Sequence, residues 1–246
     1  MGEKTAEVNQ GVRTAMELIV REASLAVIDT NTTSNLQGLS VVISKNSTGD
    51  QPATDPSPYG VYEDLCFVAP VELGNEMTNN IAAPVAYRAL CGVRYYVAKA
   101  PEANGRQSVL GNLVRVVYQP VSRGSPASFY NNPWSSGSGL QTNSAVIAEN
   151  VLCFRVQPAQ NDTAQGLKPK NTQMFKDMNS DQSLTISYNN FSGKNPCYPG
   201  VYVGICVVDS RLAGRINEMG LSDVAKTSLF NAATNWTLVR FENFNP

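Results

Sequence analysis

Apolar residues recur at steps of three and four near the start of the chain: Val8, Val12, Ala15, Ile19, Ala23 and Ala26, with Met16 and Val27 widening the stripe. Glu7, Arg13, Glu17, Arg21 and Glu22 read as the polar remainder, and no proline interrupts residues 4–28. This is the period of an amphipathic helix, weakened only at Gly11, by about 1 kcal/mol relative to alanine. At about 1.5 Å per residue the pattern predicts a rod of roughly 36 Å over residues 5–28. The run Asp29-Thr-Asn-Thr-Thr-Ser-Asn35 ends it, because these short polar side chains bond to nearby backbone and favour turns.

Beyond residue 30 the pattern changes to short apolar or alternating runs separated by turn-forming residues. Strands are predicted over residues 38–44 and 64–69, the second stopped by Pro70, with a proline-rich loop between them at 51–60. Residues 89–98 alternate, with Val93, Tyr95 and Val97 on one face and Arg94 and Tyr96 on the other. Together with 113–118 they read as a hairpin. Residues 121–144 form a long Ser/Gly/Pro/Asn-rich loop carrying Tyr130 and Trp134. Further strands are expected at 145–156, 183–188 and 201–208, the last apolar enough to lie centrally in a sheet. A polar loop spans 157–180. Two short helices are predicted at 210–219 and 222–233, with Gly220 ending the first and Ser222 and Asp223 capping the second. A strand over 236–241 closes the chain. The organisation is α+β: a helix over 1–29 and one β-rich globular head over 30–246.

Composition narrows the chemistry. The 246 residues are 42% hydrophobic, ample for a packed core, and only 16% charged, with a formal net charge of −1. No basic patch stands out, which argues against nucleic acid as a partner. Histidine is absent, and with it go His-based triads, His zinc sites and His general bases. The opening is polar and no run approaches eighteen apolar residues, so no membrane span or signal peptide is read within these residues. The Met1-Gly2 start, directly before a helix already under way, fits a chain from which an upstream hydrophobic segment has been removed.

Five cysteines (Cys66, Cys91, Cys153, Cys197, Cys206) are dispersed without a C-x-x-C pair, which disfavours zinc and thioredoxin-like chemistry. Most sit among apolar strand residues, as buried thiols or with at least one disulfide; the odd number leaves at least one thiol without an intrachain partner. Asp177-Met-Asn-Ser-Asp181 imitates the start of a calcium loop, but Gln182 stands where glycine is needed and Tyr188 where the bidentate glutamate is needed. Asp50, Asp55, Glu63 and Asp64 carry carboxylates at a spacing that specifies no cation. Ser44-Lys45 and Ser192-Gly-Lys194 bring dyad residue types together in turn-like contexts, and Gly137-Ser-Gly139 lacks the lysine and helix of a phosphate loop. The expectation is a non-enzymatic protein with no catalytic group, metal or cofactor. One such reading is a binding module, an adhesin or carbohydrate-binding domain using Tyr59, Tyr62, Tyr130 and Trp134.

The order of segments supplies a second reading. The N-terminal helix is followed by Gly92-Val-Arg-Tyr-Tyr-Val97, Leu113-Val-Arg115, Glu149-Asn-Val-Leu-Cys-Phe-Arg-Val156 and Tyr198-Pro-Gly-Val-Tyr-Val-Gly-Ile-Cys-Val-Val-Asp209. This resembles the type IV pilin-like superfamily, most closely the J-type minor pseudopilins of type II secretion and their cassette-encoded relatives. Val93 and Tyr95, Leu113 and Arg115, and Val151 and Phe154 match that family's V-x-Y, L-x-R and V-x-x-F strands. The prepilin cleavage site, the transmembrane half-helix and the glutamate near the mature N-terminus are not in this sequence. The resemblance implies a pilin-like head with long loops, its sheet crossed by the soluble half of a pilin-type helix. It also implies inner-membrane anchoring through a segment not included here, with the head in the periplasm or at the cell surface. The implied partners are sibling pseudopilins and the inner-membrane assembly machinery. Candidate partner-binding residues are Val8, Val12, Ala15, Met16 and Ile19. The stripe divides them: Ala15 and Ile19, with Ala23 and Ala26, are expected to pack on the sheet, and Val8 and Val12 to project towards a partner. The isolated chain is expected to be largely monomeric.

Overall fold

A computed structural model describes residues 2–27, 41–45, 62–73, 87–100, 108–120, 140–162, 166–169, 183–186, 201–218 and 222–242. Helix α1 covers Gly2–Ser24. It is followed in order by strands β1 (Val41–Lys45), β2 (Glu63–Leu73), β3 (Tyr87–Lys99), β4 (Gly111–Gln119), β5 (Leu140–Asp162), β6 (Gly166–Pro169), β7 (Ser183–Ile186) and β8 (Val201–Val207). Two helices, α2 (Ser210–Glu218) and α3 (Asp223–Glu242), complete the described elements. The fold is α+β, with an antiparallel curled sheet whose principal strands are β2, β3, β4, β5 and β8.

The sheet runs β6-β5-β4-β3-β2-β1-β7, and β8 joins β5 away from this path. The β3–β4 hairpin pairs Val93 with Val117, Tyr95 with Arg115 and Val97 with Leu113, so the alternation read from the sequence sets the register. The curl comes from β5. Its first part pairs β4 as far as Val151, and its second part pairs β8 from Val151 to Pro158. At the changeover Asn150 adopts a φ of 57°, a left-handed conformation that asparagine tolerates better than most residues. The pairing is irregular at Val151/Cys153, as a bulge that bends a strand would make it. Having turned, β5 reaches the start of β2, where Phe154 and Tyr62 form a parallel bridge.

The core fills this curl. Leu65, Phe67, Val93, Tyr95, Leu113, Phe154 and Val156 are buried from the sheet, Ile19 from α1 and Phe230 from α3. On α1 the described burial begins at Ala15 and continues through Ile19 and Glu22, three and four residues apart. Past the helix, the Val27 N–H donates to the Val68 carbonyl at 2.8 Å, tying the outgoing chain to β2.

Several elements differ from the expectations. β2 does not stop at Pro70 but continues to Leu73, with Pro70 opposite Leu90. Described pairing of β1 with β2 reaches only Cys66, so among the described residues Pro70 lies where β2 is paired on one side, and a missing N–H is tolerated there. β8 is not central: among the described residues it pairs β5 alone, and each of its residues is half-buried. Strand β6 and the end of β5 occupy ground expected to be loop. The strand expected over 236–241 is the second half of α3. Phe230, Ala233, Thr234 and Thr237 are buried at helical spacing, so one stripe crosses the expected break and packing overrides the β-propensity of the terminal residues.

Candidate functional site

Among the described residues, one buried polar cluster lies where α1 meets the sheet. Glu22, read from sequence as part of the polar face, lies three residues beyond Ile19 and seven beyond Ala15, on the buried side. Its carboxylate accepts from Arg115 Nε at 2.9 Å, from Arg115 Nη2 at 2.5 Å and from the Tyr95 hydroxyl. Arg115 and Tyr95 are directly opposed on β4 and β3, so the hairpin register presents both donors on the face that receives the helix. Burial and the adjoining Glu22 carboxylate raise the Tyr95 pKa above its ordinary value, keeping the phenol a donor. Burial works against the Arg115 charge, but the bond to Glu22 and its negative charge outweigh this and raise that pKa too. One carboxylate therefore fixes the axial position of α1 by a bidentate charged contact.

Two further ion pairs lie in the body. Asp64 on β2 accepts from Arg94 on β3, with both side chains buried, and the Arg94 guanidinium lies 4.7 Å from the centre of the Tyr96 ring. Burial opposes the Arg94 charge, but the Asp64 carboxylate more than compensates and raises its pKa. Glu63 on β2 pairs with Arg155 on β5 at 3.2 Å and also accepts from the Val156 N–H, linking the two strands where the curl closes. Thus Glu63 and Asp64, carboxylates considered for a cation, are strand residues held by guanidinium groups. Asp50, Asp55 and Asp177–Asp181 lie outside the described residues. No group of three or more metal-ligating side chains occurs among the described residues.

The candidate partner residues separate. Ala15 and Ile19 are buried in the core, which removes them as contacts for another subunit, and Met16 is partly buried against the same core. Val12 is half-buried and, with Gly11, Val146, Asn150, Val208 and Asp209, lines an open groove of about 440 Å³. Of Val8 only the backbone, within α1, is described. Among the aromatics of the binding-module reading, Tyr62 is buried at the start of β2 and offers no exposed ring. Tyr59, Tyr130 and Trp134 lie outside the described residues.

The thiols are arranged for packing. Cys66, Cys91 and Cys153 are buried free thiols, and Cys206 is half-buried. Burial pushes the Cys91 thiol up to about 12 and Cys153 up to about 11, and it raises Cys66 and Cys206 as well. A thiol held protonated in this way is a poor nucleophile at neutral pH. Cys197 lies outside the described residues.

α3 packs on β5 and β8, and α2 and α3 add Ala213, Phe230 and Ala233 to the core that Ile19 enters from α1. Asp209 caps α2 by accepting from the Leu212 N–H at 2.7 Å, and Ser222 caps α3 through the Ala225 N–H. Asn217 on α2 accepts from the Val109 N–H at 3.2 Å and anchors the approach to β4. No helix among the described residues is long and apolar enough to cross a membrane.

Sequence reasoning named Tyr95 and Arg115 as strand-motif positions but missed Glu22 as their shared acceptor, although a signal existed. Arg94 and Arg115 each interrupt an apolar strand, and a charge placed there needs an opposite charge nearby. No protein-family model, curated protein or solved structure matches the chain.

Proposed function

We propose that the chain is a structural subunit of a pilin-like assembly, a minor pseudopilin of a type II secretion system or a subunit of a type IV pilus-like system. It acts through packing of its N-terminal helix against sibling subunits. The observation that carries this reading is the uneven docking of α1. Its second half is fixed on the sheet by Ala15, Ile19 and the Glu22–Arg115–Tyr95 contact. Before Ala15, Gln10, Gly11, Arg13 and Thr14 are exposed and Val12 is half-buried. A helix fixed to its own body through its second half and exposed at Gln10, Gly11, Arg13 and Thr14 is suited to laying that exposed stretch against neighbouring helices.

In this reading the head is pilin-like, anchored in the inner membrane through a segment preceding α1 and facing the periplasm or the cell surface. Its partners are sibling pseudopilins and the assembly machinery of the inner membrane, with no nucleic acid and no cofactor. The work is mechanical rather than catalytic, in keeping with the buried carboxylates Glu22, Glu63 and Asp64 being engaged by arginines.

Two experiments test it. The coding sequence upstream of Met1 should specify an apolar stretch of about 20 residues behind a short basic leader. In the membrane-anchored protein, replacing Val8 and Val12 together by aspartate should weaken co-purification with sibling pilin-like subunits. Undiminished co-purification by a folded double variant would remove the basis for a helix-mediated assembly role.

A further inference from the structure

We infer that Cys153 and Cys206, free thiols in this structure, close on oxidation to a cross-strand disulfide that fastens β8 to β5. The two residues are directly opposed in the antiparallel ladder, next to the pair Phe154–Ile205, and the irregularity in pairing separates them from Val151–Val207. Directly opposed residues project from the same face, with Cα atoms about 4.5 Å or about 5.5 Å apart according to the type of pair. Both separations fall within the range of about 4.4–6.8 Å that a disulfide spans. A disulfide also needs Cβ atoms about 3.5–4.5 Å apart; the closer, non-hydrogen-bonded type of pair offers about 4.5 Å, and in the wider type, at about 5.5 Å, the strands must draw together by about 1 Å.

The other described cysteines have no such arrangement. Cys66 is opposed by Arg94 and Cys91 by Ala69, and the register places Cys66 and Cys91 on opposite faces of the sheet. Around Cys153 the site is closed by α3, whose Thr234 and Thr237 hydroxyls each lie 3.9 Å from Sγ. Cys206 is half-buried and is the sulfur more open to an incoming reagent.

A bond here has a clear structural use. Among the described residues β8 pairs with β5 alone, and the two cysteines enclose the long stretch 154–205. Closing so long a loop restricts the unfolded chain strongly, and it holds an apolar strand to its only described neighbour. The inference goes beyond the assembly reading and stands on the ladder alone, although an extracytoplasmic head would meet an oxidising environment.

Burial raises both thiols, Cys153 to about 11, so the folded protein holds little thiolate at neutral pH. The bond accordingly forms during folding, before α3 covers Cys153. The Cys206 thiolate attacks one sulfur of a disulfide donor, such as oxidised glutathione or a protein disulfide, and displaces one donor thiolate. The Cys153 thiolate then attacks the Cys206 sulfur and displaces the second. The two cysteines lose two protons and two electrons, and the donor disulfide leaves as two thiols.

The full chain refolded in mixed oxidised and reduced glutathione should yield, on digestion without reductant, one peptide pair joined through Cys153 and Cys206. The pair should vanish on reduction. Reductant should lower the urea midpoint of the unaltered chain but leave that of Cys206→Ser unmoved. Recovery of Cys153 and Cys206 as free thiols, alkylated only after unfolding, would overturn the inference, as would a bond joining Cys206 to Cys197. The peptide mapping decides the matter on the unaltered chain even if Cys206→Ser does not fold. Failure of the unaltered, membrane-anchored chain to bind siblings with the bond intact would count against the assembly reading and leave this one standing.

Discussion

Replacing Glu22 by alanine should be among the most costly single changes on α1. In the folded chain its carboxylate is the acceptor for both Arg115 nitrogens and for the Tyr95 hydroxyl. The side chains of Arg115 and Glu22 are only 13% and 11% exposed, so water screens their attraction weakly. Truncation leaves a guanidinium and a phenol facing apolar neighbours without their acceptor. Breaking a buried pair from one side costs about 3–5 kcal/mol. Some water reaches this pair, which places the expected loss near the lower end, about 3 kcal/mol. Arg13–Glu17 is the internal control: it is an ion pair on the same helix, also between arginine and glutamate, but its side chains are 82% and 68% exposed. Glu17→Ala should cost no more than about 0.5 kcal/mol, the usual worth of an exposed i,i+4 pair. Urea unfolding followed by far-UV dichroism measures both, provided the slope with denaturant is unchanged so that the midpoint reports stability. Adding Arg115→Met to Glu22→Leu should recover much of the loss, because removing both charges leaves neither stranded. Equal midpoints for Glu22→Ala and Glu17→Ala would show that the buried carboxylate does not hold the helix.

Ile19→Asp should exceed about 4 kcal/mol, since it places an unpaired charge where the native side chain is fully buried, whereas Val12→Asp at the half-buried groove should cost far less; thermal melting compares them. Stability should also fall as pH rises above the ordinary thiol value of 9.0. Burial raises Cys91 to about 12 and raises Cys66 and Tyr95, so the unfolded chain releases protons that the folded chain keeps. Cys91→Ala should make that alkaline slope shallower by about 1.4 kcal/mol per pH unit between 9.0 and about 12, read from urea midpoints across the pH range. Light scattering at micromolar concentration should show mostly monomer, and a stable dimer burying residues 121–144 would favour the binding-module reading instead.

The parts of the fold legible in the sequence are those where one local period decides the outcome. Val93, Tyr95 and Val97 alternate, and so do Leu113, Arg115 and Val117, and together they set the faces and the register of the β3–β4 hairpin. Period fails where tertiary pairing decides. Pro70 looks like a stop until the described pairing of β1 is seen to end at Cys66. Residues 236–241 look like a strand because Trp, Thr, Leu, Val and Phe favour sheets, but the stripe from Phe230 to Thr237 already commits this stretch to a helix. β8 looks central because it is apolar on both faces, yet only its neighbours define its place, and among the described residues these reduce to β5.

The polar interior was the least legible part, for a related reason. Hydropathy assigns Glu22 to solvent, and periodicity assigns it to the buried side of α1; the sequence does not say which prevails. Burial of a carboxylate depends on whether a cation arrives opposite it, and Arg115 is contributed by a strand ninety-three residues away. The same holds for Asp64 with Arg94 and for Glu63 with Arg155. In each case the acidic residue and its arginine lie on different elements, and only the register of the curled sheet or the docking of α1 joins them. These pairs contribute less to net stability than apolar residues of equal volume would, because both charges give up water. What they provide is position. An apolar stripe can slide by a turn with little loss, whereas a carboxylate that must meet two guanidinium nitrogens and a phenol cannot. For a helix proposed to meet its siblings before Ala15, that fixed height and rotation at Glu22 determine where its exposed stretch from Gln10 to Thr14 points.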